Sequence, residues 1–395
     1  MENTKKLSDE YIMHTYNRFD TEIVSGEGVY LFNEKGKKYL DFTAGIAVNS
    51  LGYGDKECIN AITEQISRFN HCSNLYYSRP QAEVAEILVK NSCFEKVFFC
   101  NSGAEATETM LKIARKFGKT KGENCTKIIT MKNSFHGRTT GAITATGQTK
   151  YQKSFTPLLP DIFYAEFNNL ESIKELVDEN TCAIIVEPMQ GEGGMKPATA
   201  EFLQGLRKLC DEKNILLGFD EVQCGIGRTG ELFAYQTYGV EPDMAGMAKG
   251  LANGLPIGAC AAKGAAATIL EAGDHASTFG GNPVSCASAK VVLTKLTKEN
   301  LLDNVKETGT YLKAELQKLA EKYSFIKEVR GLGLMLGMEL TIPAREIMNK
   351  CMENGLLVIG AGTNIIRFVP PLIITKENVD EAVSILDKVL GEVNE

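Results

Sequence analysis

The stretch D-M-A-G-M-A-K-G-L-A-N-G-L-P-I-G-A, residues 243–259, holds one charged side chain after its opening aspartate, Lys249, among small and apolar neighbours. Its two ends belong to the runs D-M-A-G-M (243–247) and P-I-G-A-C-A-A (256–262), which read as buried strands because they are short, apolar and bounded by turn residues. Two readings stand for the lysine between them. Its stem can lie over apolar surface with the ammonium in water, or the amine can be buried, where low dielectric favours the neutral, nucleophilic form.

Outward from this stretch the same pattern repeats. K-V-F-F-C (96–100), K-I-I-T-M (127–131), C-A-I-I-V (182–186) and I-L-L-G-F (215–219) read as further strands. Between them, E-A-T-E-T-M-L-K-I-A-R-K-F (105–117) and A-E-F-L-Q-G-L-R-K-L-C (200–210) carry apolar residues at helical spacing. Such alternation predicts an α/β fold with a mostly parallel sheet covered by helices. From residue 283 the pattern changes to a long helical stretch towards 320, strands within 326–340 and a final helix over 379–393, which reads as a smaller α+β domain. A hairpin-like segment, G-V-Y-L-F-N-E-K-G-K-K-Y-L-D-F (28–42), lies near the start. The expected division is an N-terminal segment 1–45 joining the small domain, a large domain 46–282 and a C-terminal small domain 283–395.

Composition narrows the classes of partner. Of 395 residues, 44% are hydrophobic and 24% charged, the balance of an ordinary globular protein. A net charge of -7 argues against a general nucleic-acid binder, though local residues can still hold a small anion. The 11 cysteines are odd in number and show no C-x-x-C spacing, which fits reduced core thiols; no metal is expected. The opening M-E-N-T-K-K-L-S-D-E has no signal or transit character, and no apolar run is long enough to span a membrane. A cytoplasmic location with no membrane partner is the expectation.

Each strand is followed by polar residues: Asn101, Ser102 and Gly103; Phe135, His136 and Arg138; Glu187, Gln190 and Glu192; Asp220 and Gln223; then Lys249. In open α/β sheets the carboxyl ends of the strands form the ligand crevice, so these groups are expected to converge. N-S-G-A-E-A (101–106) taken alone is a serine-capped helix start, whose amides can also hold an anion. Asp220, at the end of a buried strand, needs either a salt-bridge partner or the protonated ring nitrogen of a cofactor. An anion-binding turn, a carboxylate and an amine together meet the needs of pyridoxal 5'-phosphate. A competing signal, G-I-G-R-T-G (225–230), matches G-x-G-x-x-G and would suggest a nicotinamide-dependent dehydrogenase. Its glycines are separated from the strand, and the segment after them, E-L-F-A-Y-Q-T-Y-G (231–239), is a poor helix.

The motifs S-G-A-E-A (102–106), F-H-G-R-T (135–139), E-P-M-Q-G-E-G-G (187–194), D-E-V-Q-C-G-I-G-R-T-G (220–230), M-A-K-G (247–250), S-T-F-G-G-N-P (277–283) and R-G-L-G-L-M-L-G (330–337) span almost the whole chain. In residues and order the chain resembles the class-III, fold-type-I pyridoxal phosphate-dependent aminotransferases. Within them it is most similar to the acetylornithine branch, as G-I-A-V-N-S-L-G (45–52) and S-N-L-Y-Y (73–77) also suggest. One departure is Y-G-D-K (53–56), where that family usually has histidines and a proline.

The resemblance implies a role for each matching residue. Lys249 would hold the cofactor covalently and move the proton, and Asp220 would keep the ring nitrogen protonated. Phe135 and Val222 would cover the two ring faces, with Gln223 near the phenolic oxygen and His136 packing or hydrogen-bonding near the ring. Ser102, Gly103 and Ala104 would hold the phosphate, joined by Thr278 of a second subunit in a homodimer. Arg138 would meet a distal substrate carboxylate, with Ser277 also on the substrate side. Arg367 would bind the α-carboxylate of glutamate, with Glu192 pairing to Arg367 when that carboxylate is absent. The implied substrates are N2-acetylornithine and 2-oxoglutarate or glutamate. Ornithine, succinyl-diaminopimelate and 4-aminobutyrate remain open as alternative donors, and a catalytically silent scaffold is a third class of reading.

Overall fold

The structure, a computed structural model, describes residues 2–394. Its centre is a seven-stranded sheet made, in spatial order, of Lys96–Cys100, Gly258–Ala262, Met244–Met247, Leu216–Asp220, Thr181–Val186, Lys127–Met131 and Ile162–Ala165. Gly258–Ala262 runs antiparallel to both its neighbours, and the remaining pairs are parallel. The reason is chain length: only residues 248–257 join it to the preceding strand, too few for a crossover helix. Every residue of Thr181–Val186, Leu216–Asp220, Met244–Met247 and Gly258–Ala262 is buried, which is why these strands read as apolar runs without alternation.

Helix Gly103–Lys121 lies against this sheet and buries Ala106, Met110, Ile113, Ala114 and Phe117, a stripe at helical spacing. A Cβ on Gly118 would stand 1.9 Å from the Cys125 carbonyl oxygen, so glycine there lets the next turn fold back onto the helix. Edge strand Ile162–Ala165 adds one strand to those expected; its apolar run I-F-Y-A is only four residues long.

The helical stretch expected from 283 is two helices, Pro283–Lys298 and Leu301–Lys322. The first packs on helices Lys56–Arg68 and Arg79–Lys90, while the second packs on strand Ile326–Leu332 and the terminal helix Lys376–Asn394. A single straight rod could not serve both surfaces, so the chain breaks at Glu299 and Asn300. Ile326–Leu332, Met335–Leu340, Ile365–Phe368 and Ile359–Gly360 make one four-stranded sheet. Another joins Ile23–Glu27, Tyr30–Asn33 and Lys38–Asp41 to Leu356–Leu357 from the far end of the chain.

The departure at residues 53–56 has a local use. Asp55 caps helix Lys56–Arg68 by accepting from Cys58 N–H at 2.9 Å, and Tyr53 donates its hydroxyl to Asp41 at 2.6 Å. The glycine motif at 225–230 opens no helix long enough to face a dinucleotide. Gly227 and Gly230 have φ of +83° and +103°, and the first helix after them, Ala234–Tyr238, has five residues. Buried Glu221 instead accepts the Ala234 and Tyr235 amides at 2.6 and 2.8 Å. Burial raises this carboxyl to about 8.

Candidate active site

The carboxyl ends of the parallel strands surround a cavity of about 330 Å³. Ser102, Gly103, Ala104, Phe135, His136, Glu192, Asp220, Val222, Gln223 and Lys249 all line it. Most of them stand at or within a few residues of a strand's carboxyl end, with Gly103 and Ala104 opening the helix that follows. Of the strand-end groups expected to converge, Gln190 and Arg138 do not line the cavity: Gln190 donates to the Lys132 carbonyl at 3.0 Å instead, and Arg138 lies outside.

Lys249 opens a short 3-10 turn, Lys249–Ala252, with φ +36°, a backbone region that a side chain occupies only at a cost in strain. Gly250 makes the turn fit, since a Cβ there would lie 2.6 Å from Ser50 Oγ. The lysine amine makes no hydrogen bond among the described residues. Burial first, and the Arg367 charge second, bring its ammonium down from 10.5 to about 8, against the opposing pull of Glu192, Asp220 and Glu187. Of the two readings of this lysine, the structure favours the buried amine. In cofactor-free protein we expect its labelling by a small aldehyde to rise with pH to a midpoint near 8, because only the neutral amine reacts. A midpoint above 10 in a peptide-mapped titration would mean that the amine is solvated.

Asp220 is buried, and both its oxygens are engaged. Oδ2 stands 2.7 Å from His136 Nδ1, and Oδ1 accepts from Val222 N–H at 3.0 Å. Burial opposes charge on His136, yet the hydrogen bond and the negative field of Asp220 win, so its pKa is raised. His136 Nε2 has no partner among the described residues. The histidine is thus a positioning group that aims the carboxylate. Cys224, beside this motif, is buried, and burial raises its thiol well above its ordinary pKa, which suits packing and not nucleophilic attack.

Ser102 caps helix Gly103–Lys121, accepting from Glu105 N–H at 3.2 Å. The Gly103 and Ala104 amides at the same helix start have no acceptor in the described chain and face the cavity. A Cβ on Gly103 would sit 2.6 Å from Val222, so glycine keeps this wall open.

Arg367, in strand Ile365–Phe368, lies behind the cavity with 2% exposure. It donates to Glu192 Oε1 at 2.5 Å, to Gln223 Oε1 at 3.1 Å and to the Gly360 carbonyl at 3.2 Å. Burial pulls the Glu192 carboxyl up, but Arg367, with smaller help from Lys249 and Lys150, holds it below its usual range. Three further residues with an implied role lie outside the cavity lining. Arg138 is exposed at the rim, and Thr278 is exposed on the segment after helix Gly264–Thr268. Ser277 accepts from Asn101 Nδ2 at 3.0 Å and from Gly280 N–H at 3.0 Å.

Among the wall residues to which the sequence reading gives no role, Glu187 and Asn101 are expected to converge as strand-end groups, and Val48 is not. Glu187 is buried and accepts from Phe135 N–H at 3.1 Å and Gly191 N–H at 3.4 Å; burial raises its pKa. Its place at a strand end was the available signal. Asn101 lines the cavity immediately before the capping serine, in a position its neighbours already marked. Val48 arrives through a turn in which Ala44, Gly45, Ile46 and Ala47 all have positive φ, and no sequence pattern announces that turn.

A buried amine, an aimed carboxylate and an amide-lined helix start on one cavity match the aldehyde, ring nitrogen and phosphate of one small molecule. On this α/β fold they define a pyridoxal phosphate-dependent transferase. The family model described as Aminotransferase class-III matches residues 11–390. The acetylornithine aminotransferase of Caldanaerobacter subterraneus subsp. tengcongensis is 50% identical over 386 residues, covering 97% of this chain and 98% of that relative. Among solved structures, the ornithine aminotransferase of Toxoplasma gondii superposes with a TM-score of 0.95 at 32% identity, over 99% of this chain and 95% of that one. The N-acetylornithine aminotransferase of Stenotrophomonas maltophilia gives 0.85 at 35% identity, over 98% of each. The chain belongs to the class-III aminotransferases, and its cofactor is pyridoxal 5'-phosphate.

Proposed function

We propose that the protein moves the terminal amino group of N2-acetylornithine to 2-oxoglutarate, giving N-acetylglutamate semialdehyde and glutamate, a step of arginine biosynthesis. The observation that carries this reading is the pair of buried Arg367 and half-buried Glu192 beside the amine. One substrate, glutamate, has a carboxylate next to its reacting amine, and the other does not. A site serving both needs a cation for the first and a means of neutralising that cation for the second, because an unpaired buried charge costs several kcal/mol. The names borne by relatives of similar length support acetylornithine as the second substrate. A panel of amino donors with 2-oxoglutarate tests this directly; preference for ornithine or 4-aminobutyrate over acetylornithine would overturn the choice of donor.

When bound, pyridoxal phosphate supplies an electron sink that makes a proton on the carbon bearing the amine removable. In the proposed arrangement Lys249 would hold the cofactor through its amine and would accept and return that proton. Asp220, aimed by His136 and the Val222 amide, keeps the ring nitrogen protonated. Phe135 and Val222 would cover the ring faces, and Gln223, which accepts from Arg367 at 3.1 Å, would serve the phenolic oxygen. Ser102, Gly103 and Ala104 take the phosphate, with Thr278 from a second copy. Arg138 takes the distal carboxylate of acetylornithine or the side-chain carboxylate of glutamate, with Ser277 nearby.

Thr278 is exposed in its own subunit, next to Phe279, and Leu75, Tyr76 and Tyr77 also stand in solvent. These exposed apolar groups support a homodimer in which each subunit completes the other's site. The domain division proposed is 1–45 with 283–395 around 46–282; pairing of Lys38–Asp41 with Leu356–Leu357 supports it. No described helix is long and apolar enough to cross a membrane. A cytoplasmic location is the proposal that suits the free thiols.

Glu192→Gln keeps the shape of the loop and removes its charge, leaving Arg367 held by Gln223 and Gly360 and open to any α-carboxylate. Relative kcat/KM should then move towards glutamate and away from acetylornithine by about 1–3 kcal/mol. The two half-reactions, followed separately by cofactor absorbance, check this. Equal losses in both would show that Glu192 only supports the loop.

A further inference from the structure

Arg138 is not held by any carboxylate among the described residues. Its guanidinium carbon lies 4.3 Å from the centre of the Tyr151 ring and 5.5 Å from that of Phe135, while the two rings meet edge to face at 5.7 Å. Lys150 Nζ stands 4.7 Å from the centre of the same Tyr151 ring. Two cations thus share one tyrosine at the cavity rim, and neither has an ion-pair partner or a side-chain hydrogen bond among the described residues. The field of Lys150 already reaches the cavity, where it helps hold Glu192 ionised. Like charges gathered without a counter-ion repel, so such a pair is best satisfied by an anion arriving from solution. An arginine on a flexible stem is also a poor carboxylate receptor until its rotamers are restricted, and an aromatic face does this without neutralising the charge.

The geometry points to Tyr151 as a positioning residue that orients Arg138 for the distal carboxylate of the substrate, with Lys150 as the second cation of that subsite. Phe135, which in the proposed function covers one ring face of the cofactor, touches Tyr151, so the receptor is built onto the wall that fixes the reacting atoms. The distance between the distal carboxylate and the reacting amine would then be set by a chain of ring contacts from Phe135 through Tyr151 to Arg138. This rests on the reading that Arg138 meets a distal carboxylate.

The test uses holoenzyme and two amino donors with the same reacting amine, N2-acetylornithine and its decarboxylated counterpart N-acetylputrescine, in single-turnover half-reactions. The selectivity ratio between them is the readout. The rate with N-acetylputrescine reports whether each variant is intact. Arg138→Ala should lower the ratio most. Tyr151→Leu, which keeps bulk without a π face, should lower it about three- to thirtyfold, and Tyr151→Phe should restore it to within about twofold of the parent. Lys150→Gln should lower it about two- to tenfold and weaken its dependence on salt. An unchanged ratio in Arg138→Ala overturns the reading of Arg138 and this inference with it. A lowered ratio in Arg138→Ala but an unchanged one in both Tyr151→Leu and Lys150→Gln overturns the inference alone. A fall in Tyr151→Phe as large as in Tyr151→Leu overturns the role given to the ring face.

Discussion

Lys249→Ala should give a folded protein that has lost transamination by about 10⁴-fold or more, since on the proposed reading covalent attachment and proton transfer depend on the same amine. Folding should survive because that amine has no hydrogen-bond partner among the described residues and the cavity around it is already open. Stability should even improve near neutral pH. The folded-state pKa of the lysine lies at about 8 against 10.5 unfolded, so the unfolded chain binds the extra proton between those values. The buried amine therefore costs cofactor-free protein up to about 3 kcal/mol below pH 8, and the cost disappears as pH rises through 8 towards 10.5. A melting comparison of the two cofactor-free proteins at about pH 7 and about pH 10 checks the sign. Borohydride reduction and peptide mapping should find the cofactor on Lys249 in the parent; a label on another lysine would refute the assignment.

For Asp220→Asn the expected loss in turnover is about 10²–10³-fold, with cofactor content reduced far less. The asparagine oxygen can still accept from the Val222 amide, while its NH2 group takes the place of the oxygen facing His136 Nδ1 and can only donate to it, so that contact survives with the ring nitrogen unprotonated. What it lacks is charge, and a charge-assisted contact in a buried site is worth a few kcal/mol more than a neutral one. The residues proposed to hold the phosphate and to cover the ring are untouched by the change. Turnover and bound cofactor measured on the same sample separate the two quantities. Near-parental turnover would remove Asp220 from the chemistry.

How far the sequence reaches depends on whether a feature is local. The strands at 127–131 and 182–186 show as apolar runs because they lie inside the sheet with almost every residue buried, whereas Ile162–Ala165, at the sheet edge, is a run of only four residues with Phe163 exposed. The break after Lys298 escapes because both halves are good helix; what separates them is that they cover different surfaces. In the site, residues directly after strands could be collected by position alone. The His136–Asp220 bond joins residues 84 apart, and the seating of Arg138 on Tyr151 depends on how a turn folds back over the rim. Neither leaves a periodic trace. Glu187 shows the intermediate case, visible as a polar residue at a strand end yet silent about the two amides it holds.

The Arg367–Glu192 pair also ties parts of the molecule that fold on different sheets. Arg367 stands in the small sheet of Met335–Leu340 and Ile365–Phe368, while Gln223 follows a strand of the large one and Glu192 lies in the turn joining the paired Met189–Gln190 and Lys196–Pro197. On the proposed reading, glutamate must displace Glu192 from that arginine, and its departure lets the pair close again. Selecting the substrate is then also unlatching and relatching a seam between two layers of the protein, once in each round of the reaction. The stiffness of that seam becomes part of the specificity, so substitutions far from the cavity that loosen the small sheet should alter the preference between substrates before they alter the chemistry.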